Sequence, residues 1–217
     1  MSAGAGMDLE AALAEVRRAR GARDVVVTTM AASKVWMEQA GEPHPLDFVF
    51  VPSCMGHATS IGLGIALAQP TRRVIVCNGD GSMLMNLGSL VTITAADAKN
   101  LVVIVLDNGV YEVTGAEPTP GSAAGRRQEG AVDFGAIARG SGFASVHHFS
   151  RAGDWASNAD RVLGAEGPVF VWLDVAAVPG RPGPKSPGPA AQRAQAFMRA
   201  LQSPRVVIPS EARDLQA

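Results

Sequence analysis

The sequence predicts an α/β protein, a doubly wound and mostly parallel sheet of about six strands with helices on both faces. Three observations carry this. Short β-branched runs alternate with helix-length segments along the whole chain. The strand candidates Arg73–Cys77, apolar after its first residue, and Leu101–Leu106 are continuous apolar runs rather than alternating ones, as strands buried on both faces of a parallel sheet are. The stretch between them, Ser82 to Ala98, is long enough for a crossover helix.

Taken in order, Asp8 to Arg20 is an amphipathic helix with Leu9, Leu13 and Val16 on one side and Gly21 as its stop. Asp24–Thr28 is a strand and Ala31–Gln39 a second helix. Gly41–Asp47 is loop, and Phe48–Val51 is a short extended run ended by Pro52. Gly56–Ala68 is a Gly- and Ala-rich helix suited to close packing. After the two central strands, periodicity is lost from Val110 to Gly130, a length at which a loop is usually functional or mobile. Asp133 caps a helix running through Arg139, and Ala144–Phe149 is a strand. Ser150 caps a helix to about Leu163, and Val169–Val175 is the last buried strand. Residues 1–178 thus form one domain. Residues 179–217 add a Pro/Gly-rich linker, a short docking helix at Ala190–Leu201 and a flexible tail.

Bulk properties narrow the function. With 217 residues and 47% hydrophobic content the chain can bury one good core. A net charge of −1 gives no basic field for nucleic acid or an anionic membrane. No apolar run approaches the roughly 18 residues of a membrane span. Cys54 and Cys77 form no metal-ligand spacing, and a reduced, cytoplasmic setting is expected.

The functional signal lies at two strand ends. Asn78-Gly79-Asp80-Gly81 ends one strand and Asp107-Asn108-Gly109 ends the next. Asp80 and Asn108 should therefore meet at the carboxyl edge of neighbouring strands, where open α/β sheets bind ligands. A carboxylate, an amide oxygen and a nearby backbone carbonyl, that of Val110, make a hard oxygen site. Such a site suits Mg2+, which keeps phosphate and water as its other ligands. Gly79 and Gly81 let the backbone approach a diphosphate, and the amides from Ser82 onward can point at it.

This pattern resembles the motif of thiamine diphosphate-dependent enzymes: Gly-Asp-Gly, a helix-and-strand spacer, then Asn-Asn. Asp107 stands where the family has its first Asn and either strengthens cation binding or makes a turn hydrogen bond; the ligand position is kept as Asn108. Pro52-Ser53-Cys54-Met55-Gly56-His57-Ala58 is similar to a segment of phosphonopyruvate and sulfopyruvate decarboxylases. There the resemblance implies that the Ser53 carbonyl accepts from the pyrimidine amino group and that Met55 wedges the cofactor into its bent form, core packing being the alternative for Met55. Thr28 and Thr29, ending the first strand, would contact the diphosphate or simply cap the next helix. His57 is the acid-base candidate, its other reading being a capping residue. Glu112, Arg126 and Arg127 read as solvated loop residues, though either group could face an anionic substrate. His147 and His148 read as structural, and Gly62-Leu63-Gly64 is too incomplete for a dinucleotide fingerprint.

In this family a Glu that activates the cofactor comes from a separate pyrimidine-binding domain, which the chain is expected to lack. The resemblance thus implies the diphosphate- and Mg2+-binding subunit of a 2-oxo acid decarboxylase. It would be inactive alone and paired with an α-type subunit that supplies the Glu, in a hetero-oligomer or homodimer with a small anionic 2-oxo acid as substrate. An acetolactate synthase-like carboligase, an oxidoreductase subunit or a non-catalytic cofactor-binding subunit are the alternatives.

Overall fold

In a computed structural model, residues 6–40, 44–49, 55–125, 130–178, 180 and 188–203 are described. The strands are β1 Val25–Thr28, β2 Asp47–Val49, β3 Val74–Gly79, β4 Leu101–Asp107, β5 Val110–Tyr111, β6 Glu117–Pro118, β7 Ser145–Phe149 and β8 Val169–Asp174. The helices are α1 Leu9–Ala19, α2 Met30–Ala40, α3 Ala58–Ala68, α4 Asp80–Leu84, α5 Gly88–Ala95, α6 Phe134–Gly140, α7 Ala152–Gly164 and α8 Ala190–Gln202. A 6-stranded, wholly parallel sheet runs in the order β2-β1-β3-β4-β8-β7.

Burial follows the strand pattern. Every residue of β1, and β3 and β4 except at their carboxyl ends, is buried, so both faces must be covered. On one face α1, α2 and α7 pack over Val26, Ile75, Ile104 and Val171. On the other α3, α5, α6 and α8 cover Val27, Val76, Val103 and Phe170. The Gly/Ala content of α3 has a physical use at Gly62. A Cβ there would lie 2.3 Å from Val76 Cγ2, so only glycine lets the helix settle this close to β3.

Several boundaries differ from the sequence expectation. Helix α1 ends at Ala19, with Arg20 rather than Gly21 as its cap. Arg20 turns out of the helix because its guanidinium pairs with buried Asp47 and donates to the Asp24 carbonyl. The crossover is broken into α4 and α5, and its first helix starts at Asp80 rather than Ser82. The break is held by Asn86, whose side chain donates to the Gly56 carbonyl at 2.8 Å. Ser150 does not cap α7; Arg151 holds that position without a side-chain bond. Asp133 does cap α6, accepting from Ala136 N–H at 2.7 Å. The aperiodic stretch contains an antiparallel pairing of β5 with β6. Helix α8 lays Phe197 against Phe48 of β2, ring centroids 4.9 Å apart. Among the described residues no helix is long and apolar enough to cross a membrane.

Candidate functional site

The sheet order places β2 and β3 on opposite sides of β1, so the chain changes winding direction between β1 and β3. Crevices form at such switch points, outside the carboxyl ends of the strands. Here a solvent-open cleft of about 580 Å3 lies at that point. Of the residues singled out from sequence, it gathers Thr29, Met55, Gly79, Asp80, Gly81, Asn108 and Val110. The parallel register that pairs Gly79 with Leu106 puts Asp80, one step past β3, beside Asp107, the last residue of β4.

Asp80 is 2% exposed, and its Oδ2 accepts from the Thr119 hydroxyl at 2.9 Å. Burial, and then the charge of Asp107, push its carboxyl up to about 7. Asn108 Oδ1 accepts from Val110 N–H at 3.0 Å, which orients the amide and leaves its second lone pair available. Gly109, at φ +72, turns the chain between them. Asp107 does make a turn hydrogen bond, accepting from Gly109 N–H at 3.2 Å through Oδ1. Its Oδ2 accepts from Trp172 Nε1–H at 3.0 Å, and burial raises its carboxyl as well.

The two motif glycines have different uses. A Cβ on Gly79 would meet nothing within 4 Å, so its bare backbone borders open cleft. A Cβ on Gly81 would lie 2.2 Å from Tyr111 Cε1; that glycine makes room for the Tyr111 ring instead. Ser82 is buried, and its hydroxyl accepts from Gly56 N–H at 3.0 Å, so it braces the turn after Met55 rather than facing the cleft. Gly56, at φ +78, takes the left-handed conformation this turn needs. Thr28 is turned inward, its hydroxyl 3.0 Å from that of Ser33. Thr29 lines the cleft and donates to Asn78 Oδ1 at 3.3 Å.

His57 caps α3 without a side-chain bond, is exposed, and is not among the cleft-lining residues. Glu112 lines the cleft and accepts from Val178 N–H at 2.7 Å, so it is not the free loop acid expected. His148 stacks on Trp172 at 3.8 Å and contacts Asp174 Oδ1 at 3.0 Å, the structural role expected of it. Ser53, Cys54, Arg126 and Arg127 lie outside the described residues. Sequence reasoning missed Thr119, Tyr111 and Trp172. Thr119 stands in aperiodic chain, and only the fold brings it to Asp80.

A family model described as the thiamine pyrophosphate enzyme, C-terminal TPP binding domain, matches residues 24–173. The chain belongs to that family. Phosphonopyruvate decarboxylase of Streptomyces viridochromogenes is 39% identical over 157 residues, 69% of this chain and 36% of that protein. Sulfopyruvate decarboxylase subunit beta of Methanothermobacter thermautotrophicus is 45% identical over 121 residues, 56% of this chain and 58% of that protein. The chain therefore spans about a third to three fifths of the curated relatives it matches. Among solved structures, the thiamine diphosphate-dependent 4-hydroxybenzoylformate decarboxylase of Rhodococcus jostii superposes with TM-score 0.63 at 24% identity, over 81% of this chain and 34% of that one. A 2-oxoglutarate:ferredoxin oxidoreductase from Magnetococcus marinus superposes with TM-score 0.61 at 18% identity, over 79% and 62%. At such identities the superpositions speak to fold.

The site of this thiamine pyrophosphate-binding domain fits the group its family binds. Gly79 offers bare backbone to open space beside Asp80. Asp80 is a buried carboxylate with no ion-pair partner among the described residues. Neither do three or more His, Cys, Asp or Glu side chains converge among them as an all-protein metal cage. A cation here would complete its shell with phosphate and water oxygens, the habit of Mg2+.

Proposed function

We propose that this chain is the diphosphate- and Mg2+-binding subunit of a thiamine diphosphate-dependent 2-oxo acid decarboxylase of the sulfopyruvate or phosphonopyruvate type. It works with a pyrimidine-domain partner that supplies the activating Glu. The observation that carries this is the convergence of Asp80, Asn108, Val110, Gly79 and Met55 on one open cleft at the β1/β3 switch point. The relatives' names support the reaction class. The name "subunit beta" supports a separate partner.

In this reading Asp80, the Asn108 amide and the Val110 carbonyl hold the cation. Gly79 and the Thr29 hydroxyl, both lining the cleft, would hold the diphosphate. Ser53 would offer its carbonyl to the pyrimidine amino group, and Met55, which lines the cleft, would be the wedge against the cofactor. Bound thiamine diphosphate supplies the electron sink that lets CO2 leave. His57, exposed two residues from Met55, would supply the proton taken up by the substrate carbon after CO2 leaves. The substrate is a small anionic 2-oxo acid, and Mg2+ is its cofactor's metal.

The test is coexpression with a candidate pyrimidine-domain protein, followed by a screen of 2-oxo acids for CO2 and aldehyde. Turnover by the pair and none by either chain alone is expected. Acetolactate-type products would shift the reading to a carboligase, and cofactor binding without turnover to a non-catalytic subunit. Turnover by this chain alone would remove the partner requirement.

A further inference from the structure

Asp107 departs from the family pattern, which places an amide there. The structure gives it more than a turn. Its two oxygens are each held by a separate donor, Gly109 N–H at 3.2 Å and Trp172 Nε1–H at 3.0 Å. Trp172 is itself fixed, stacked on His148 at 3.8 Å and edge-on to Phe134 at 6.0 Å. The register of β3 against β4 also sets Asp107 beside Asp80, near enough for its charge to push up the Asp80 carboxyl. A buried and a half-buried carboxyl are thus set side by side, and among the described residues neither has a Lys, Arg or His in ion pair with it. Like charges held together this way are unfavourable unless a cation joins them.

We propose that Asp107 is a positioning residue for the bound cation: anchored by Trp172 and Gly109, it fixes the turn carrying Asn108 and Val110 and adds a second negative charge beside Asp80 without taking a ligand position. This rests on the metal site described under the proposed function. Outer-sphere carboxylates of this kind orient ligands and add field at the metal, and losing one typically lowers metal affinity about 10- to 100-fold.

Mn2+ is the probe, titrated by electron paramagnetic resonance into the chain copurified with its partner at saturating thiamine diphosphate. Three variants are compared: Asp107→Asn, Trp172→Phe and the double variant. In Asp107→Asn an amide N–H2 can be forced against the Trp172 N–H; the double variant removes that conflict. Asp107→Asn is expected to weaken Mn2+ about tenfold or more. The double variant is expected to recover any melting temperature lost by the single variant while staying weak for Mn2+. Trp172→Phe, which keeps the charge but frees one oxygen, should lose less. Unchanged affinity in Asp107→Asn, or affinity that returns together with melting temperature in the double variant, would leave Asp107 a purely structural turn residue. A wild-type complex that takes up no Mn2+ would instead overturn the metal site itself.

Discussion

Replacing Asp80 by Asn should make the metal-free chain more stable while abolishing its cofactor binding. Asp80 is almost wholly buried, and burial with the adjacent Asp107 lifts its carboxyl from the usual 3.8 to about 7. A carboxyl that holds its proton more tightly folded than unfolded penalises the folded state wherever the unfolded chain is ionised. The shift caps that penalty at roughly 4 kcal/mol at pH 8. Asn keeps an acceptor for the Thr119 hydroxyl, whose bond to Asp80 is 2.9 Å, and carries no charge for Asp107 to oppose. Water entering the open cleft screens part of the charge, so a net gain of about 1–2 kcal/mol is expected, a rise of about 2–8 °C in melting temperature for a chain of this size. The sign fixes the pH dependence. The wild-type penalty is absent below about pH 4, where both states are protonated, grows from there to pH 7, and is complete above it. The advantage of Asp80→Asn should follow the same course. Saturating Mg2+ and thiamine diphosphate should reverse the order, because ligand binding stabilises only the wild type. Thermal melts at pH 4, 6 and 8, with and without ligand, read all of this. A variant less stable than wild type at pH 8, or one that binds the cofactor as tightly, would refute the reasoning.

Other changes probe the supports of the site. Thr119→Val removes the hydroxyl that holds Asp80 and should cost about 1–3 kcal/mol in urea melts and weaken Mg2+ binding measured by calorimetry. Gly81→Ala drives a methyl to 2.2 Å from the Tyr111 ring and should destabilise by about 1–3 kcal/mol, with Tyr111→Leu in the same chain recovering most of the loss in chemical denaturation. The Cys77 thiol is pushed up to about 12 by burial in β3, so in a Cys54→Ser background it should resist thiol reagents at pH 8 until urea is added.

The fold was legible because its signals are local. Continuous apolar runs marked β3 and β4, and the two strand ends marked the cleft, since parallel pairing of neighbours brings their carboxyl ends together. What stayed hidden depends on contacts between distant segments. Gly81 reads as a phosphate-loop glycine until Tyr111 is seen filling its space. Gly21 reads as a helix stop, but Arg20 leaves α1 first because Asp47 draws its guanidinium. Ser82 reads as part of an anion site and instead braces Gly56.

Asp107 shows why such residues resist sequence reading. Beside Asn108 it looks like an imperfect copy of an amide pair, and the natural inference is a weakened site. Its partner Trp172 lies one strand over, on β8, where it reads only as a buried aromatic. Seen together, the two form one unit: a carboxyl with two acceptor oxygens at the end of β4 meets an indole N–H from β8. An amide at position 107 has one acceptor for these two donors, so its N–H2 would be turned against either the indole N–H or the Gly109 N–H. The carboxylate is the side chain that accepts from both, and its charge falls beside Asp80 as a consequence of that geometry.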